Sequence, residues 1–355
     1  MSQFGAQIEE IHTRYRARFA GFPRITRDPE ELEAILNEAS RLESDSGKLL
    51  DADEKARLIE NKSLYERELA GIRDARSQGP AALVTHRLAT WANFVQARYA
   101  RYFAGQTRRT RDLGILAEMI EDSDRIVSEM EALAARANTA ELQQALETTR
   151  NNLAIYRVER DRIREDRKKV FGADRGTLFA NVANDQFGRY RLHFANKARI
   201  SRNPRLLELI AEALGEIHQG MQALLDDGFN TEVHKKNMEL VKNNLGVYRD
   251  EAPKIRTLRL EAPLQERVGS LGGAANEIFQ SYRENFAGQN RKTRDLTLLG
   301  NLIEQLFQVG KQMDEIDRSS DDDVNAKNLS LVMDMLYLYH REYNLVETEQ
   351  KAKPN

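Results

Sequence analysis

Tyr15-Arg16-Ala17-Arg18-Phe19-Ala20-Gly21-Phe22-Pro23-Arg24-Ile25-Thr26-Arg27-Asp28 occurs near the start of the chain, and its pattern returns three times, at 99–112, 190–203 and 282–295. The shared form is Y-x-x-x-F-A-[GN]-x-x-R-x-[TS]-R-[DN]. Its phenylalanines are Phe19, Phe103, Phe194 and Phe286. Its arginines are Arg24, Arg108, Arg199 and Arg291, then Arg27, Arg111, Arg202 and Arg294. A second block follows each time, carrying Tyr65, Tyr156, Tyr248 or Tyr339 and, three residues on, Glu68, Glu159, Glu251 or Glu342. The step from Tyr65 to Phe103 is 38 residues, as it is from Tyr156 to Phe194 and from Tyr248 to Phe286. Self-similarity at a fixed period of about 91 residues marks a repeat architecture.

Working outward from the motif, the preceding segment carries apolar residues at Phe4, Ile8, Ile11, Tyr15 and Phe19. The second and fourth copies match with Leu88, Ala92, Val95, Tyr99, Phe103 and Leu271, Ala275, Ile278, Tyr282, Phe286. That spacing puts one apolar stripe on a helix. The third copy has Gln186 as one polar lapse. The Gly or Asn after Phe-Ala suits a left-handed helix end. Asp28, Asp112, Asn203 and Asp295 are N-cap residues for a second helix, with Pro29 and Pro204 at its favoured first position. Its stripe is heptad-like, Leu207, Ile210, Leu214, Ile217, Met221, Leu224 in the third copy. A third helix repeats the period through Met238, Val241, Leu245, Tyr248 and Ile255, which predicts coiled-coil-like packing. Gly79-Pro80, Gly172 and Pro263 break the chain between copies.

The first copy lacks seven residues between Phe19 and Tyr65, about two helical turns. Removing one turn from each of two antiparallel partners keeps both in register, with the loop near Ser44-Asp45-Ser46-Gly47. The expectation is an all-α tandem array of about twelve helices in four three-helix modules, 1–80, 81–172, 173–263 and 264–355, stacked as a rod or a curved superhelix. A three-helix unit of this size resembles spectrin-type modules in outline. The Gly and Pro breaks depart from the continuous linker helix of that family, and no function or site follows from the outline.

The recurring polar residues admit two readings. Each Arg pair can bond carbonyls at the helix corner and grip Glu68, Glu159, Glu251 or Glu342, because the planar guanidinium matches a carboxylate in two places. Alternatively, R-x-[TS]-R before a helix start gathers cations, a hydroxyl and free N–H groups into an anion site. Asn203 leaves the third copy least obstructed for that role. Windows 14–28, 98–112, 189–203 and 281–295 carry charges of +4, +4, +5 and +2 in a chain whose net charge is −2. A basic feature at regular intervals suits a polyanion, or another subunit's acidic face. Asn93, Asn184, Asn276 and Asn61, Asn152, Asn244 also recur, and read as buried amides bonded across helices.

Catalytic signals do not appear. The six histidines do not repeat in register, Glu216-Ile217-His218 has the wrong spacing for a helical di-metal site, and Gly272-Gly273 lacks the strand context of a phosphate loop. With no cysteine, disulfides and thiolate chemistry are excluded. No apolar run approaches the roughly 20 residues of a membrane span, and residues 1–10 lack a signal-peptide pattern. The reading is a cytoplasmic, non-enzymatic scaffold or adaptor that assembles with a protein partner or itself and needs no cofactor or metal. The alternative is binding of nucleic acid or another polyanion through the R-x-[TS]-R corners.

Overall fold

The computed structural model describes residues 2–20, 22, 24–46, 49–77 and 79–352. Among these the chain forms twelve α-helices and no strand. They are α1 (Gln3–Arg18), α2 (Pro29–Ser46), α3 (Ala52–Ser77), α4 (Pro80–Phe103), α5 (Leu113–Ala134), α6 (Ala140–Lys168), α7 (Gly172–His193), α8 (Pro204–Asp226), α9 (Glu232–Glu261), α10 (Leu264–Phe286), α11 (Leu296–Ser319) and α12 (Asp323–Lys351). Each R-x-[TS] segment is a 3-10 turn: Arg24–Thr26, Arg108–Thr110, Arg199–Ser201 and Arg291–Thr293.

The helix ends have local causes. Gly105, Asn196 and Gly288 adopt φ of +74°, +58° and +75° just past the ends of α4, α7 and α10; Gly21 lies outside the described residues. Asn196 is the only non-glycine residue with positive φ among the described residues, a conformation its short polar side chain tolerates. The next helices start on side-chain caps. Asp112 Oδ1 accepts from the N–H groups of Gly114 and Ile115, at 2.7 and 3.1 Å. Asp295 does the same for Thr297 and Leu298, at 2.8 and 3.0 Å. The breakers act as breaks: α3 stops before Gly79-Pro80, α6 before Gly172 and α9 before Pro263. In the first copy α2 has 18 residues and α3 has 26, against 23 in α8 and 30 in α9. The shortening is therefore shared by both partners of the hairpin.

By compactness the chain divides into two units, residues 1–91 with 129–145, and residues 92–128 with 146–355. In the first, α1, α2 and α3 pack on one another around Ile8, Tyr15, Phe19, Leu32, Leu58, Tyr65 and Ile72. In the second, α7, α8 and α9 enclose Phe194, Leu207, Leu214, Met221, Val241, Tyr248 and Ile255. Gly220 on α8 gives the Phe179 ring a place that any Cβ there would occupy. Also within the second unit, α10, α11 and α12 pack together, α11 touches α7, and α10 touches the Arg199–Ser201 turn.

Candidate functional site

Each corner is built from the same parts. The outer arginine is half-exposed and its guanidinium meets the third-helix carboxylate. Arg24 lies 2.8 Å from Glu68, Arg108 lies 3.2 Å from Glu159, Arg199 lies 2.8 Å from Glu251 and Arg291 lies 2.7 Å from Glu342. The inner arginine is largely buried and reaches the same carboxylate. Arg27 does so at 2.5 Å, Arg111 at 2.5 Å and Arg202 at 3.1 Å, and Arg294 also pairs with Glu342. The inner guanidinium then donates to a carbonyl of the preceding loop: Phe22, Gln106, Lys197 or Gln289. One carboxylate thus ties together two arginines, one turn and one helix. At Glu68 the hydrogen bond from Arg24, with Arg27 behind it, holds the carboxyl below its ordinary value against the effect of burial.

Beneath each corner lies an aromatic step. Ring centroids are 4.7 Å apart for Tyr15–Tyr65, 5.0 Å for Tyr99–Tyr156, 4.3 Å for Tyr190–Tyr248 and 4.1 Å for Tyr282–Tyr339. Each first tyrosine also neighbours the Phe of its motif, as Tyr190 does Phe194 at 5.4 Å. A further column escaped the sequence reading. Eleven residues after the second Tyr, Arg167, Arg259 and Gln350 donate to carbonyls of the turn: Arg111 at 2.8 Å, Arg202 at 3.2 Å and Arg294 at 2.7 Å. The signal was present as Arg76, Arg167, Arg259 and Gln350 in register, although Arg76 is exposed.

Two expectations are corrected. Asn93, Asn184 and Asn276 are exposed, and Asn61, Asn152 and Asn244 are half-buried. They are not amides buried between helices. The Asn244 amide donates to Leu240 O, one turn back on its own helix, at 2.9 Å. Nor is the third corner less obstructed: Asn203 Oδ1 accepts from Arg205 and Leu206 N–H at 3.0 and 3.3 Å, and its amide donates to Gln308 Oε1 at 3.2 Å. The cap position is filled there as in the other copies.

The second unit holds a buried ionic network that no repeated motif announced. Arg98 on α4 is fully buried and lies 2.8 Å from Glu118 on α5 and 2.5 Å from Glu304 on α11. Lys311 on α11 reaches Glu118 at 2.9 Å and Asp122 at 2.8 Å. Arg189 on α7 completes the ring, 3.2 Å from Glu118. Gln308 donates to Glu118 at 2.5 Å. The Arg98 guanidinium also sits over the Phe307 ring, 4.5 Å from its centroid. Burial alone raises the Glu118 carboxyl, but Arg98, Lys311 and Arg189 hold it well below the usual range. Asp122 goes the other way: burial raises it, and the neighbouring Glu118 charge adds to the rise. Three cations and three carboxylates from four helices therefore share one largely buried site. The polar lapse in the α7 stripe belongs here, because Gln186 Oε1 accepts from Arg189 at 3.4 Å.

Two histidines border this region. Burial lowers His193 to about 4. Burial, then Arg101 and Arg98, lower His340 to about 3. Arg101 donates to His340 Nδ1 at 3.2 Å, and Phe94 stacks on its ring. A histidine lowered in the folded state resists a proton that the unfolded chain accepts. Its contribution is complete above the ordinary value and is lost as pH falls below it. Between about pH 7 and about pH 5 each histidine removes about 2 kcal/mol of stability. Urea unfolding across that range checks this, and His193→Gln and His340→Gln each flatten the slope. An unchanged slope in both variants contradicts the assignment.

Among the described residues no group of three or more His, Asp or Glu is arranged to hold a metal ion. Among the same residues no helix is long and apolar enough to cross a membrane. No family model, curated protein or solved structure matches the chain.

Proposed function

We propose that the chain is a non-enzymatic scaffold or adaptor of four three-helix modules, acting in the cytoplasm, and that its third helices carry the interaction surface. The observation that carries this reading is an outward apolar column. The residue before the second Tyr is Leu64, Ile155, Val247 or Leu338, apolar in all four copies. Ile155 is 53% exposed and Val247 57%, Leu338 is half-buried, and Leu64 is half-buried and packs against the core of the first copy. On α9 the column extends by heptads through Leu240 and Val233, which are 50% and 69% exposed. On α12 the matching positions are Leu331 and Val324. Single exposed apolar residues are ordinary on any surface, whereas apolar residues at every seventh position of a long helix form half of a coiled-coil seam.

The repeated arginines support the same reading from the other side. They are engaged with Glu and with loop carbonyls, so the invariant polar columns serve the frame. The partner is a second copy of the chain or another protein presenting an apolar helix, and repetition raises avidity by roughly 10²–10⁴ when two weak sites act together. Polyanion binding is the second reading, favoured by the four basic windows and the half-exposed outer arginines.

Sedimentation across concentration and salt, with cross-linking in native extract, tests the proposal. The wild type associates or cross-links, and Leu240→Asp with Val247→Asp weakens that by about tenfold or more, since a charge in an apolar seam costs more than 1.4 kcal/mol. A chain that stays at its monomer mass of 40.7 kDa, with cross-links unchanged by the two substitutions, contradicts it.

A further inference from the structure

Within the second unit, a cleft of about 790 Å³ opens between the end of α4, the Arg108–Thr110 turn, α7 and α11. Its size is that of a small-molecule site. A far smaller pocket of about 40 Å³ lies at the matching place between copies three and four; the large cleft forms where copies two and three bring one column, the residue before the motif Phe, to a common place. That column reads Arg18, Tyr102, His193 and Asn285, and Tyr102 and His193 both line the cleft. Burial lowers His193 to about 4 and raises the Tyr102 phenol, so both stay neutral near pH 7.

Most charges lining the cleft have partners. Arg189 and Glu304 belong to the buried ionic network and pair with Glu118 and Arg98, Asp112 caps α5, and Lys197 pairs with Glu277 at 3.3 Å. Asp185 and Arg191 are exposed and make no ion pair or hydrogen bond among the described residues. Both are on α7, six residues apart, which is about 9 Å along the helix. Burial and then the neighbouring Asp112 charge raise the Asp185 carboxyl, and the Arg167 guanidinium opposes them. The cleft therefore presents a carboxylate and a guanidinium that hold no ion pair among the described residues, together with neutral Tyr102 and His193.

We propose that this cleft binds a small zwitterion of extended shape, its ammonium group at Asp185 and its carboxylate at Arg191. The site is independent of the third-helix surface. Gly188, on the same helix between the two charges, lines the cleft, and a Cβ there meets nothing within 4 Å. A larger side chain at that position fills the cleft without striking the frame.

Titration calorimetry with 6-aminohexanoate, hexanoate and hexylamine tests the proposal. Saturable binding of 6-aminohexanoate is expected, with hexanoate and hexylamine each weaker by about fivefold or more, the worth of one lost charge pair of about 1 kcal/mol. Asp185→Asn erases the preference over hexanoate, and Arg191→Gln erases the preference over hexylamine. Gly188→Leu abolishes binding, and circular dichroism and the urea midpoint confirm that the variant is folded. If Gly188→Leu does not fold, Gly188→Ser with the two charge variants takes its place. No saturable binding of 6-aminohexanoate to the wild type overturns the proposal. So does binding of hexanoate or hexylamine as strong as that of the zwitterion, or binding indifferent to both charge variants.

Discussion

Arg98→Met lowers the stability of the second unit by about 3–5 kcal/mol, the loss measured when one partner of a buried ionic cluster is removed. The reason is the count of charges around it. Arg98 stands between Glu118 and Glu304, and without it three buried carboxylates face two cations. Hydrogen exchange of α4 and α11 amides reads the loss locally. The deficit relative to the wild type narrows as pH falls, because an uncompensated Glu304 takes up a proton and stops repelling Glu118. Combining Arg98→Met with Glu304→Gln recovers part of the loss, because two carboxylates, Glu118 and Asp122, then face two cations, Lys311 and Arg189. An Arg98→Met chain as stable as the wild type, with unchanged exchange in α11, contradicts the network.

The second large effect belongs to the corners. Glu251→Ala leaves Arg199 and Arg202 without a carboxylate, since Glu251 is the partner that joins them. The inner guanidinium is largely buried and keeps only the Lys197 carbonyl. A loss of about 2–3 kcal/mol follows for a semi-buried charge stripped of its partner. Urea unfolding gives the magnitude. Adding Arg202→Met to Glu251→Ala restores part of the stability, because the unpaired buried charge is then gone as well. Equal destabilisation by the single and double variants contradicts the pairing.

How much of this was legible in the sequence depends on repetition. The helices, their breaks and the corner residues were readable because four copies in one chain hold the same residue types in register. Arg24 with Arg27 and Glu68 cannot be recognised alone, but recur as Arg108, Arg111, Glu159 and twice more. The ionic network was not readable, because Glu304 lies 206 residues from Arg98 and its partners come from different columns. A trace did exist: Arg14, Arg98 and Arg189 share the position before the first Tyr. Their surroundings differ, since Arg14 pairs with Glu38 at the surface while Arg98 is fully buried. Position in the repeat sets which way a side chain points, and long-range packing decides whether it meets water. The Asn columns misled for a related reason. Recurrence marks a constraint, and a helix face exposed in every copy satisfies it as well as a buried one.

The claim on which the account rests most heavily is that the eight repeated arginines hold corners and not a ligand. Fluorescence anisotropy of labelled polyphosphate, titrated at about 50 mM and about 200 mM salt, tests it directly, because phosphate contacts made by free cations lose affinity steeply over that range. The account predicts no saturable binding at either salt concentration. Saturable binding at low salt that collapses at high salt, and that disappears in Arg108→Ala, Arg199→Ala and Arg291→Ala together, would contradict it.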